Sequence, residues 1–218
     1  RGNKGVLMTI KIQSLGWLRI IAVATIVLSP FAVNHDANAE SNGAAAVAEA
    51  FQAGLVEVMK VAETLSVKDR FDKLAPLVDK TFHVALMAQI SAGTYWAPAT
   101  AAEKQSLVAG FRRMSIATLA TLFDGYSGET FAVDNEKPGP SKTTLVMTTL
   151  TKTDKSTIKI AYVARQFKIG WRLIDVVSDN GISELKVRRS EYNQVLKQKG
   201  VTGLIALLNG KADQLISQ

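Results

Sequence analysis

From residue 47 onward, apolar side chains recur three and four positions apart: Val47, Phe51, Leu55, Val58, Ala62 and Leu65. That spacing predicts a first helix with one buried face. Ser66-x-x-Asp69 is a capping-box signal for a second helix, and its apolar positions Phe71, Leu74, Val78, Phe82 and Leu86 keep the same period. Pro76 lies inside that run and is expected to break or kink it. Residues 92–99 read as a connection. Thr100-x-x-Glu103 then opens a third helix through about Phe123, with Leu107, Phe111, Met114, Thr118 and Leu122 on its inner face.

After Gly125 and Gly128 the period changes from helical to extended. Residues 129–135, 143–151, 156–165 and 171–178 are rich in Thr, Val, Ile and aromatics, and turn chemistry separates them at Lys137-Pro-Gly-Pro140, Thr153-Asp-Lys155 and Lys168-Ile-Gly170. Turns this short imply antiparallel hairpins. Leu145 and Met147, and then Ile158, Ile160 and Tyr162, alternate with their neighbours and are expected to face an apolar interior. Ser183 is positioned to cap a helix that ends near Gly200, and Thr202 to open a last one with Leu204, Ile205, Leu208 and Leu215. Helices, a strand meander and helices again predict an α+β fold: a curved antiparallel sheet of about four strands, with N-terminal and C-terminal helices packed over one face around an apolar interior that is either a filled core or a cavity.

The first 39 residues change the picture of the compartment. Met8 reads as a natural start, with 1–7 an upstream extension; Lys11 and Arg19 supply a positive region, and Ile20 to Val33 an apolar stretch interrupted by Ser29-Pro30. Ala37-Asn38-Ala39 is a small-x-small cleavage site before Glu40, so residues 1–39 are expected to be a signal peptide and 40–218 one exported, periplasmic domain. A membrane anchor would need roughly 20 continuous apolar residues, more than this run offers.

The chain has no cysteine, which removes disulfides, thiolate nucleophiles and a lipoprotein anchor. Its formal charge is +7, falling to +4 without residues 1–39, which hold four basic residues and one acid. The basic residues are spread along the chain and form no nucleic-acid-binding stripe, so nucleic acid is not an expected partner. The densest basic cluster is Lys186, Arg188 and Arg189, which on a helix face at least two directions. A solvated face, with Glu184 as an i,i+4 partner of Arg188, competes there with a docking surface.

Candidate chemistry is sparse. His83 stands alone once His35 is assigned to the signal peptide, and Gly125-Tyr-Ser127-Gly128 lacks the strand-to-helix setting of a nucleophile elbow, so it reads as a helix stop and turn. No metal-ligand or nucleotide fingerprint is present, and neither metal nor cofactor is expected. Asp175 interrupts the apolar run Trp171 to Val177, where it reads as a structural acceptor or an exposed strand residue, or as a buried acid with a raised pKa. The remaining signal is the supply of apolar, flexible side chains on opposing elements, which form a filled core or line a cavity for an apolar ligand.

The order and spacing of Phe82, Met87-Ala88, Gly93, Trp96, Phe111, Trp171-Arg-Leu-Ile-Asp175-Val, Gly181-Ile-Ser183, Glu191-Tyr192, Gly200 and Leu204-Ile205 resemble the MlaC/toluene-tolerance family of periplasmic auxiliary proteins. His83 and Thr118-Leu-Ala120 depart from its usual pattern. The resemblance implies a shuttle without catalysis that carries a lipid between membranes. It also implies an inner-membrane ABC transporter complex and an outer-membrane lipoprotein complex as partners. Asn180-Gly-Ile-Ser-Glu184 resembles the hopanoid-associated branch, so the lipid expected is a phospholipid or a hopanoid. Trp96, Phe111, Met114, Leu122, Leu145, Met147, Ile160 and Tyr162 are the candidate lipid-binding residues. The competing classes are an enzyme on a cone-shaped α+β fold using Asp175 or Tyr162, and a structural adaptor with a filled core.

Overall fold

The computed structural model describes residues 43–218; the expected signal peptide lies outside the described residues. Helix α1 spans Ala44–Val61 and ends in a 3-10 turn, Ala62–Thr64. Helix α2 spans Val67–Thr81, α3 Val84–Ala92 and α4 Ala101–Leu122. Strands β1 (Thr130–Pro138), β2 (Thr143–Thr151), β3 (Thr157–Phe167) and β4 (Gly170–Val177) form one antiparallel sheet in sequence order, and α5 (Glu184–Ile216) closes the chain. This is the α+β arrangement that the change of period implies.

Both capping boxes form. Ser66 and Thr100 accept from the amides of Asp69 and Glu103, whose carboxylates accept in return from the cap residues. The Ser66 bonds hold the exposed Asp69 carboxyl below its ordinary pKa, and the Thr100 bonds do the same for Glu103.

Pro76 does not interrupt α2. It is exposed, as is Asp72, so the carbonyl that loses its amide donor is open to water. The interruption falls instead at Phe82, where the backbone is extended (φ −104°, ψ 148°). Phe82 bridges Leu173 in parallel register, and the His83 amide donates to the Leu173 carbonyl at 2.9 Å. An edge pairing with β4 therefore splits the expected long helix into α2 and α3. His83 then caps α3, its Nδ1 accepting from the Leu86 amide, with the ring 4.2 Å from that of Phe167.

Helix α1 lies across one face of the sheet. Phe51, Leu55, Val58 and Met59 bury there with Leu74, Val78, Phe82, Ile116, Val146, Tyr162, Ala164 and Leu173. A second apolar cluster joins α3, α4 and α5 through Ala88, Leu107, Phe111, Leu185, Tyr192, Leu196, Leu204 and Leu208. Val84 and Met87 of α3 pack against both clusters. Gly200 (φ 64°, ψ −167°) interrupts α5 at the expected place, and Gly128 turns the chain into the sheet at φ 105°.

Candidate functional site

The expected inner wall of α4 needs correction. Leu107 and Phe111 are buried, but the next buried positions are Ile116, Ala117 and Ala120; Met114 and Thr118 are only half-buried and Leu122 is 41 % exposed. The reason is that α4 is covered from more than one side. Leu107 and Phe111 join the α5 cluster, while Ile116 and Ala120 join the cluster beneath α1. The small residues Gly110, Ala117 and Ala120 permit close approach, and a stripe drawn through large side chains passes over them.

A second correction concerns β2. Its partners across the ladder are Val146 with Tyr162 and Thr148 with Ile160, so Val146 and Thr148 share the core face with those residues. Leu145 and Met147 pair with Val163 and Ala161 on the opposite face. Both faces of Thr-Thr-Leu-Val-Met-Thr-Thr-Leu-Thr carry apolar residues, and a shift of one residue exchanges them. Thr148 tolerates burial because its hydroxyl donates to the Ile160 carbonyl at 2.9 Å.

The eight candidates therefore do not converge on one space. Ile160 and Tyr162 belong to the interior beneath α1; Phe111, Met114 and Trp96 belong to the α3–α4–α5 cluster; Leu145 and Met147 lie on the far face of the sheet, and Leu122 at the end of α4. Two surface clefts, of about 350 and 380 Å³, include none of the eight.

The interior beneath α1 contains one polar pair that the periodicity does not announce. The Phe51 ring stands edge-on to Phe82 at 4.9 Å and to Tyr162 at 6.0 Å, and next to Phe51 lies Gln52, 3 % exposed. Burial pushes the Tyr162 phenol up to about 12, against a smaller pull in the other direction from Gln52. Tyr162 thus stays neutral at ordinary pH and is poorly suited to base catalysis. The Gln52 Nε2 atom is buried with no hydrogen-bond partner.

Asp175 is committed to structure. Its Oδ2 accepts from the Ser183 hydroxyl at 2.5 Å, and its Oδ1 from the amides of Leu185 at 3.1 Å and Val176 at 2.8 Å. Ser183 in turn accepts from the Lys186 amide, so Asp175 anchors β4 to the N-terminus of α5. The conservative change Asp175→Asn keeps an acceptor for Leu185 and a donor for Ser183. It is expected to cost about 1 kcal/mol in urea unfolding and to leave ligand retention unchanged. An isomerase or hydrolase activity that disappeared in this variant would replace the carrier reading by an enzymatic one.

The basic cluster divides as a helix requires. Arg188 turns inward, its Nε 2.9 Å from Glu184, its Nη1 donating to the Tyr192 hydroxyl and its guanidinium 5.7 Å from the Phe111 ring centroid. Burial opposes the Arg188 charge, but Tyr192 and Glu184 outweigh it and raise the pKa. Lys186 and Arg189 remain on the exposed side.

Among the described residues no helix is long and apolar enough to cross a membrane, and no three His, Asp or Glu residues gather as metal ligands. The described residues form an open four-stranded antiparallel sheet with α1 across one face and an apolar interior. Residues 49–210 match the MlaC protein family, and the chain belongs to it. The same fold occurs in a phospholipid-binding protein from Ralstonia solanacearum solved in complex with a phospholipid. That structure is 19 % identical, superposes with a TM-score of 0.70, and the match covers 79 % of this chain and 98 % of the other.

Proposed function

We propose that this protein is a non-catalytic lipid carrier of the periplasm, exported by cleavage before Glu40. In this reading it moves a phospholipid or a related lipid between an inner-membrane ABC transporter complex and an outer-membrane acceptor. The observation that carries the reading is the shared fold with a phospholipid-bound protein over nearly all of that protein's length. Membership of the MlaC family supports it.

The physics of the interior suits this task. Exposing an acyl chain to water costs about 0.8 kcal/mol per CH₂, so a carrier needs an enclosed apolar slot. Here two apolar clusters adjoin at Val84 and Met87, and flexible Met87 and Met114 side chains can yield to tails of different shape. The unpaired Gln52 Nε2, beside the neutral Tyr162, offers a hydrogen bond to an ester carbonyl inside a mainly apolar space. Phe111, Met114, Ile160 and Tyr162 remain candidate wall residues in this reading, joined by Gln52, Val84 and Met87.

Native mass spectrometry of protein purified from periplasm tests the proposal directly. The expected species begins at Glu40 and carries one lipid. Protein that retains residues 8–39 in a membrane pellet contradicts the export reading, and lipid-free protein that takes up none from vesicles contradicts the carrier reading.

A further inference from the structure

Between the turn after α3 and the first half of α5 lies a cleft of about 350 Å³. Lys186, Arg189, Ser190 and Asn193 line one wall, at the i, i+3, i+4, i+7 spacing that places them on a single face of α5. Ser91 and Thr94 contribute the facing wall. No Asp or Glu is among the lining residues, and among the described residues neither Lys186 nor Arg189 is in an ion pair. Glu184, the acid closest in sequence to Lys186, is engaged by Arg188.

One further observation points to a ligand, and a second places the guanidinium at the cleft wall. Ser91 is 1 % exposed and its hydroxyl has no hydrogen-bond partner; a buried hydroxyl left unpaired is costly and calls for a polar group beside it. Gly93, in the turn itself, has φ +58°, and a Cβ added there would stand 3.0 Å from Arg189 Nε and 3.1 Å from its Nη2. The positive φ favours glycine there, and the Arg189 guanidinium lies close against the turn at the cleft wall.

We propose that this cleft is a binding site for a phosphate-class oxyanion, a phosphate monoester or diester. Arg189 presents a planar fork suited to two oxygens, and Lys186 adds a second positive charge. Ser91, Thr94, Ser190 and Asn193 supply neutral donors. Two cations and several neutral donors exceed the roughly four lone-pair sites of a carboxylate's two oxygens; they suit the terminal oxygens of a phosphate monoester, or the terminal and ester oxygens of a diester. The site lies at the surface, over Ala92 and Leu196 of the α3–α4–α5 cluster, and its polar lining does not rest on the carrier reading. A lipid headgroup and a free phosphate share the chemistry it recognises.

The test titrates the protein as purified, and again after delipidation, with inorganic phosphate while following backbone amide shifts by NMR. Two further arms use glycerol 3-phosphate and co-sedimentation with phosphatidylcholine vesicles containing phosphatidylglycerol. The expected result is saturable shifts confined to residues 91–95 and 186–193. Affinity should fall about ten-fold or more in Lys186→Gln/Arg189→Gln, as loss of charge-assisted bonds implies, and less in Ser91→Ala. Both basic residues are exposed, so the double variant is expected to melt like the wild type; were it not to fold, the location of the wild-type shifts decides. Tighter binding of glycerol 3-phosphate, with vesicle binding lost in the double variant, identifies a headgroup as the source. Phosphate binding without vesicle binding identifies a soluble ion. Absence of saturable shifts in all arms, or equal affinity in the folded double variant, overturns the proposal. Lipid co-purification is scored separately and does not bear on it.

Discussion

Arg70→Ala is expected to destabilise the protein by about 3 kcal/mol or more, because it strips donors from buried carbonyls that have few alternatives. Arg70 is 8 % exposed, and its guanidinium donates from Nε to the Ala120 carbonyl at 2.7 Å. Its Nη1 donates to the Ala62 carbonyl at 3.0 Å and the Leu65 carbonyl at 2.7 Å. Ala62 retains the Leu65 amide as a second donor, whereas Ala120 lies in the last turn of α4, where carbonyls lack helical partners. The charge also faces the negative end of that helix. One side chain thus ties the end of α1, the start of α2 and the end of α4 together. Arg70→Lys is expected to recover only part of the loss, since an ammonium cannot span three carbonyls as the planar fork does. Urea unfolding monitored by circular dichroism gives the measure, and a loss below about 1 kcal/mol would show that water replaces the guanidinium.

Met114→Asp is expected to remove bound lipid by at least about ten-fold while the fold survives, in contrast to Ile116→Asp two residues along the same helix. Met114 is half-buried at the margin of the α3–α4–α5 cluster, so a carboxylate there can stay hydrated. Ile116 has 0 % exposure in the cluster beneath α1, and an unpaired carboxylate at that position meets severe desolvation. If the interior opens along α4 to admit an acyl chain, the charge at 114 makes that chain's seat unfavourable while removing only a contact at the cluster's margin. The readout is lipid per protein by extraction and mass spectrometry, with thermal melting compared against delipidated wild type, because loss of a ligand by itself lowers apparent stability. A folded Met114→Asp protein carrying one lipid per chain takes Met114 out of the binding wall. Unfolding of Met114→Asp to the same degree as Ile116→Asp favours a packed structural adaptor.

Most of the architecture is legible in the order of residues, the break between α2 and α3 excepted. The capping boxes at Ser66 and Thr100, the change of period after Gly128, the short turns between strands and the interruption at Gly200 all act within a few residues of chain, and each has the form expected. The family is legible too: the resemblance read from the sequence agrees with the family match over residues 49–210. Arg70 left a signal that helical spacing makes readable: with Val67, Leu74 and Val78 it falls on the buried stripe of α2, where an arginine must find buried acceptors.

What only the tertiary structure decided is which faces meet. The sequence of β2 is apolar on both sides, so its orientation was settled by pairing Val146 with Tyr162, and Leu145 and Met147 were turned away. The large residues of α4 suggest one stripe, but a helix wrapped by α2, α3 and α5 buries its small residues as well, and Ile116, Ala117 and Ala120 took the places expected of Met114 and Leu122. The break between α2 and α3 arises from a bridge to Leu173, about ninety residues away in the chain. The cleft lined by Ser91 and Arg189 likewise joins segments that no periodicity connects. Local hydrogen bonding and turn preference are properties of short sequence, whereas burial is a property of whatever packs alongside, and a one-dimensional pattern does not contain its partner.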